Sequence, residues 1–425
     1  MRRKLIVAVL LAAYAPFAGA ACAGRGETSA YQVRDSAGVK LVTNAARGAW
    51  ATDSAWMFRE TLRIDASRPD PNYQIGKVGG IAINSRGDIL VVDALGHNVR
   101  EYDSTGTFVR TFGAPGNGPG QLGAAVSTIL VGRADTIFVP DVGNLRMDVF
   151  APDGQPVRSF PLSVAQGVPA AWGVLPDGAL LEQVRSLALP GQTGAPRNDL
   201  LVLDTEGSVR DTLLHLPVGF VPDMSKGPAA MKFRFFEPEG IWGDTPDGHV
   251  IAGVNSEYRL SVYDSTGALR MVITKPATRQ PVTETDQKTF TQIFRDVLTK
   301  QLSRLGSDRA KPVIDQMIHN VEFAEYYPAL GVIRGLPGGM LMVQHIATIG
   351  EMKGSGAALS LGDMQKGSRQ WDVFDAGGRY LGVTELPVGF QLMAVRDDAF
   401  YGIETDSLDI PSVVRLVRAG AGGGN

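Results

Sequence analysis

Residues 79–122 read Gly79-Gly80-Ile81-Ala82-Ile83-Asn84, then Gly87-Asp88-Ile89-Leu90-Val91-Val92-Asp93, then Asn98-Val99-Arg100-Glu101-Tyr102-Asp103. After Gly106 they continue as Phe108-Val109-Arg110-Thr111-Phe112-Gly113 and close on Gly116-Asn117-Gly118-Pro119-Gly120-Gln121-Leu122. The stretch holds four short runs rich in β-branched and aromatic residues. Each run ends at Gly, Asp or Asn, which is the pattern of consecutive hairpins. One unit therefore holds four antiparallel strands.

The unit repeats. Its outer turn recurs as Tyr102-Asp103-Ser104-Thr105-Gly106, Phe150-Ala151-Pro152-Asp153-Gly154, Leu203-Asp204-Thr205-Glu206-Gly207, Tyr263-Asp264-Ser265-Thr266-Gly267 and Phe374-Asp375-Ala376-Gly377-Gly378. The spacing is roughly 50–60 residues, with the last interval about doubled, as in a repeat architecture carrying one insertion. An upstream turn appears six times, at Gly87, Arg133, Asp177, Asp247, Gly338 and Asp397. Six four-stranded units predict an all-β fold, a six-bladed β-propeller over residues 55–418. The last unit has only three strands of its own, near 391–395, 399–403 and 413–417. A segment at 58–64 is expected to supply the fourth, so that both ends of the chain share a blade and no sheet edge is left open. A further strand at 39–42, within an N-terminal extension (23–54), is expected to pack outside. The Gly-rich tail 419–425 is expected to be disordered.

Residues 79–122 resemble an NHL repeat, including the Gly-x-Gly-Pro-Gly-Gln-hydrophobic link to the next unit. The second unit (137–160, with Asp141, Asn144 and Arg146) is similar, whereas the others keep the strand–turn pattern and lose much of the motif. The resemblance implies that Asp93 and Asp141 stand where such repeats carry Asp for turn hydrogen bonding, and that Asn144 and Arg146 serve blade structure.

The doubled interval holds a stretch, 283–326, of helical periodicity. Phe290, Ile293, Phe294, Val297, Leu298 and Leu302 fall on one helical face. Thr283 or Thr285 can cap this helix, and Pro312 is expected to open a second one carrying Val313, Met317 and Val321. In a four-stranded meander, the link from one blade to the next lies on the same face as the loop between strands two and three. The helical insertion, between blades four and five, is expected on that channel-mouth face. The long link 218–239, with Phe235 and Phe236, is expected beside it. These aromatics and Phe290 can serve either as contacts for a partner or as the interior of a lid.

At the N-terminus, Arg2-Arg3-Lys4 precedes an apolar run and then Ala18-Gly19-Ala20-Ala21-Cys22, the layout of an export signal over 1–22. Cys22 is the sole cysteine, which excludes an intramolecular disulfide, and its position resembles a bacterial lipobox. The expectation is a periplasmic or outer-membrane lipoprotein lipidated at Cys22, with ordinary secretion as the alternative. Any membrane attachment would run through that anchor. Net charge is −3, and removal of the leader makes the chain more acidic. Without a basic stripe, nucleic acid is not an expected partner.

The loops after the second strands present Asp93 and His97, Asp141 and Asn144, Arg185, Asn255 and Glu257, His345 and Glu404, blade by blade. Arg185, Glu257, Glu404, His97 and His345 are candidate ligand contacts. Asp93, Asp141 and Asn255 are oxygen donors that could hold Ca²⁺, which in turn could polarise an ester or lactone carbonyl. There is no Gly-x-Ser-x-Gly elbow, Walker A loop or His-Glu-x-x-His motif. Two readings follow. The first is an exported, non-enzymatic propeller that needs no cofactor and binds a peptide, glycan or protein on its mouth face. The second is a Ca²⁺-dependent hydrolase or lyase of the lactonase-like type.

Overall fold

The computed structural model describes residues 31–51, 54–186, 195–221, 232–353, 367–406, 408 and 410–419; the leader, Cys22 and residues 420–425 lie outside it. It shows six four-stranded antiparallel blades. The N-terminal extension supplies β1 (Gln32–Ser36) and β2 (Val39–Thr43), followed by β3 (Met57–Ile64). Blade one is β4 (Val78–Ile83), β5 (Ile89–Asp93), β6 (Asn98–Tyr102) and β7 (Phe108–Phe112). Blade two is β8 (Leu130–Val131), β9 (Ile137–Asp141), β10 (Arg146–Phe150) and β11 (Pro156–Pro161). Blade three is β12 (Val168–Val174), β13 (Leu180–Arg185), β14 (Asn198–Leu203) and β15 (Val209–His215). After β16 (Phe233–Phe235), blade four is β17 (Gly240–Asp244), β18 (Val250–Val254), β19 (Arg259–Tyr263) and β20 (Leu269–Thr274). Helices α1 (Glu284–Gln301) and α2 (Ser307–His319) and strand β21 (Val321–Phe323) follow. Blade five is β22 (Ile333–Gly335), β23 (Leu341–Gln344), β24 (Gln370–Phe374) and β25 (Tyr380–Glu385), with α3 (Ile349–Lys353) between its second and third strands. Blade six is β26 (Gln391–Arg396), β27 (Ala399–Thr405) and β28 (Pro411–Ala419), completed by β3.

The apolar runs of the middle strands are explained by packing on both faces. In β5, Ile89 and Val91 join the cluster shared with blade six, while Leu90 and Val92 join the one shared with blade two. The other seams are filled in the same way, for example by Met147 and Leu180, Leu200 and Val250, Ile251 and Val343, and Trp371 and Phe400.

Ring closure follows the sequence expectation, with β3 antiparallel to β28 in a register running from Val413↔Ile64 to Ala419↔Met57. Ala419, expected to begin the tail, is therefore the last residue of a strand. The outer strand at 39–42 belongs to a β1–β2 hairpin whose β2 adds in parallel to β20 of blade four. From there the extension crosses to blade five. Buried Asn44 donates to the Gly378 carbonyl at 3.0 Å and accepts from the Tyr380 amide at 2.8 Å. Trp50 then donates its amide to the Leu381 carbonyl and packs its ring at a tilt on Trp56 against blade six. The extension thus ties three blades together along the rim.

The recurring outer turn has a local cause. Asp103 Oδ1 accepts the amides of Thr105 and Thr107, and Asp264 Oδ1 does the same for Thr266 and Ala268. These are Asx turns, which place the following glycine in the left-handed region. A Cβ on Gly207 would collide with the Phe160 ring, the last aromatic of the preceding blade's outer strand. Gly207 (φ 84°) and Gly389 (φ 82°) share a left-handed backbone conformation, but nothing lies within 4 Å of a Cβ at Gly389. Gly389→Ala should therefore cost about 1 kcal/mol from the left-handed backbone alone. Gly207→Ala should cost about 1–3 kcal/mol more through overpacking. Urea unfolding of the two variants measures the difference, and equal losses would refute this account of the turn.

Candidate functional site

The second-strand loops and inter-blade links share one face, and hydrogen bonds show it directly. Asp93, at the end of β5, accepts the amides of Gly76 and Lys77 in the link entering its own blade, each at 3.2 Å, and that of Gly96 at 3.0 Å. Asp141 accepts the Gly123 amide at 2.7 Å and that of Asn144 at 3.0 Å. Asn255 accepts the Glu239 amide at 2.9 Å. The three proposed oxygen donors thus hold three different links, each in its own blade. Arg100, 3.0 Å from Asp93, donates to the carbonyls of Pro71 and Asn72, and Arg146 does the same to Asn117, Gly118 and Gln121. The Asp and Arg positions of the first two units therefore fasten the incoming link. Among the described residues, no group of three His, Cys, Asp or Glu side chains forms a metal-holding cluster.

The candidate ligand contacts are spread around the mouth. Arg185 lies 3.3 Å from Glu239, and Glu404 lies 2.6 Å from Arg63. Glu257 is exposed on the β18–β19 turn. His97 takes a left-handed conformation, with Nδ1 3.3 Å from the Leu122 carbonyl.

His345 belongs to an arrangement that reading the sequence missed. Asp372, in the middle of β24, is fully buried. Its Oδ2 lies 2.7 Å from Lys275 Nζ and 3.1 Å from His345 Nε2, and accepts the Tyr258 hydroxyl at 2.5 Å. Its Oδ1 accepts the Tyr380 hydroxyl at 2.7 Å. Lys275 sits over both tyrosine rings, at 4.6 and 4.0 Å. Burial alone would raise the Asp372 pKa, but the His345 hydrogen bond and the Lys275 charge outweigh it and hold the carboxyl at about 2. Burial pushes the Lys275 ammonium down, with Asp372 acting against it. Burial pushes both tyrosine hydroxyls up. The network clamps blade four to blade five where the chain leaves for the helical insertion, and it leaves one edge of His345 accessible at the mouth. The only sequence signal was a charged residue within the otherwise apolar run Trp371-Asp372-Val373-Phe374.

Above that clamp stands a cap built from three connections. Helix α1 starts at Thr283, which forms a capping box with Asp286. The second helix begins at Ser307 rather than at Pro312, so the proline lies inside it. The missing proline amide costs one backbone bond, and Ala310, Ile314 and Met317, packed on α1, hold the helix across it. Strand β21 pairs in parallel with β16 of the 218–239 link, Phe235 opposite Phe323. Ile349 of α3 joins the same apolar cluster. Phe235 and Phe290, 4.2 Å apart, and Phe236 are used inside the cap. They are its interior rather than free anchors.

Many of the exposed apolar side chains lie on this face, others being on the N-terminal extension and the outer strands, such as Met57 and Val109. Leu95 (68% exposed), Leu145 (52%), Val332 (40%), Val388 (75%) and Leu408 (76%) lie on second-strand loops or inter-blade links, and Val168 (43%) opens β12 where its link ends. They come from blades one, two and three and from the approaches to and loops of blades five and six.

Replacing Asp372 with Leu would leave the Lys275 ammonium buried without its partner, at a cost of about 3–5 kcal/mol. Adding Lys275→Met should recover part of that loss, the Tyr258 and Tyr380 hydroxyls still lacking their acceptor; a double variant no more stable than the single one would contradict the clamp. Because the folded-state pKa lies below the usual 3.8, the Asp372 contribution is complete above about pH 4 and is lost as pH falls toward about 2. Denaturation of wild type and the double variant across that range measures this loss, which the double variant should lack.

No family of known proteins has a signature matching the chain, and no curated protein matches it. Solved structures do. An exported-protein candidate from Bacteroides fragilis NCTC 9343 is similar with a TM-score of 0.51 at 12% identity, over 89% of this chain and 99% of that one. A DUF4221 family member from Bacteroides vulgatus gives a TM-score of 0.48 at 9% identity, over 86% and 99%. A gluconolactonase from Xanthomonas campestris gives 0.39 at 12% identity, over 85% and 99%. At these identities the first likeness is one of fold, and it agrees with the sheet topology: the chain is a six-bladed β-propeller with four-stranded antiparallel blades.

Proposed function

We propose that this protein is an exported binding propeller of the NHL-repeat kind, held in the cell envelope through Cys22, whose mouth face takes up a peptide or protein partner. The observation that carries the reading is the set of exposed apolar side chains on the face bearing the cap. Apolar exposure favours a polypeptide surface over a glycan, which would ask for hydroxyl-directed polar groups. Arg185, Glu257, Glu404 and His97 stand around the same mouth and would supply a polar rim, the usual surround of an apolar contact. The NHL assignment is supported by the Asp93–Arg100 and Asp141–Asn144–Arg146 positions, which make matching link contacts in blades one and two. The leader and the lone cysteine support export and anchoring.

A photocrosslinking amino acid placed at Leu145, expressed in the native host, should give a discrete adduct with one partner protein or peptide. The same probe at Val109, exposed on the outer strand of blade one, should give none. Equal adducts from both positions, or none from either, would contradict the proposal.

The second reading, a hydrolase, has one specific observation in its favour. His345, oriented by buried Asp372 and accessible at the mouth, has the geometry of a positioned general base. The Ca²⁺-assisted form would use Asp93, Asp141 or Asn255, whose side-chain oxygens already hold link amides. A screen of lactones and esters separates the readings. Turnover by wild type that falls at least a hundredfold in His345→Ala would favour the hydrolase, and absence of turnover would favour binding.

A further inference from the structure

The channel itself offers a second site, at the opposite end from the cap. A cavity of about 580 Å³ runs between the inner strands of all six blades. It reaches the first-hairpin turns, where Arg133, Pro176, Pro246 and Arg396 line it. Such a volume suits a small ligand. The inner strands are sheet edges, so backbone amides and carbonyls without ladder partners face the lumen.

Its charges are unbalanced. The wall carries Arg133, Arg334 and Arg396 against one acid, Asp244. Arg396 is partly offset by neighbouring Asp397 at 3.8 Å. Arg334 is the unusual one. It projects from the middle of the three-residue inner strand β22, half-buried in the channel wall, and its Nε is buried without a hydrogen-bond partner. Burial lowers its pKa, with the charge of Asp244 acting the other way, but a guanidinium stays charged at physiological pH. Asp244 is itself engaged. Burial raises its pKa, against its own backbone amide, the charge of Arg334 and a hydrogen bond from the Val174 amide of blade three. A guanidinium donor buried without a partner is costly in a folded chain. The cost is offset when an anion enters and takes the fork of donors.

We infer that the turn-side half of the channel is a binding site for a small oxyanion, a phosphate or a short carboxylate, held by the Arg334 guanidinium with Arg133 and Arg396 at its entrance. The inference is independent of the mouth-face reading. Guanidinium is the side chain best suited to phosphate and carboxylate geometry, and the wall sets three arginines against Asp244 as its one acid.

Isothermal titration of the full chain with inorganic phosphate, and separately with succinate, tests the site and tells the two anion sources apart. Saturable binding of one of them is expected, weakened at least tenfold in Arg334→Met. Because Arg334→Met also takes the countercharge from Asp244, binding is compared in Arg334→Met with Asp244→Asn added, so that no acid is left stranded. Should Arg334→Met fail to fold, Arg334→Lys decides: it keeps the charge, loses the fork and should bind more weakly. Wild type that binds neither anion, or binding unchanged in the folded Arg334 variant, would overturn the inference.

Discussion

A blade in this protein has no solvent face in its middle strands. Ile89 and Val91 need one neighbour, Leu90 and Val92 need another, and the same holds around the ring. A sheet apolar on both sides cannot stand at the end of a row, so the row has to close on itself. Closure in turn dictates that one blade be assembled from both ends of the chain. The pairing of Met57–Ile64 with Pro411–Ala419 is the consequence. The belt of β1, β2, Asn44 and Trp50 over blades four, five and six reinforces the region next to that seam.

Once the ring is closed, its two faces cannot be equivalent. The links and second-strand loops come out together on one face, held down by Asp93, Asp141 and Asn255. Elaboration of that face adds material over the mouth without disturbing the seams, and β16, 283–326 and α3 all use it. The cap has its own apolar interior, so it is a small packed body standing on the buried Lys275–Asp372 clamp rather than a loose loop. Its exterior and the exposed apolar side chains around the mouth are what a partner would meet. The turn-side half of the channel, lined by arginine, would meet something much smaller.

Much of this was legible in the residues. Asp103 and Gly106 announce their turn because a carboxylate that bridges two amides and a left-handed glycine are local requirements, met by neighbours in sequence. The closing strand at 58–64 could be inferred because a blade with three strands is incomplete. The helix after Thr283 could be read from its cap and its apolar period. Pro312 misled because proline favours a helix start, yet here Ala310, Ile314 and Met317 pack on α1 strongly enough to carry the helix through it. The Asp372 network was out of reach. Lys275 and Tyr258 come from blade four and His345 and Asp372 from blade five, and no local rule links residues that meet only when two blades dock. The partnering of Phe235 with Phe290 and of β16 with β21 was hidden for the same reason.

The most direct test of the account is hydrogen–deuterium exchange of the protein in intact envelopes compared with the purified protein. The account predicts slower exchange in envelopes at the mouth peptides containing Leu95, Leu145 and Val388, with the first-hairpin turns on the opposite face unchanged. Protection confined to those turns, or identical exchange in both preparations, would contradict it.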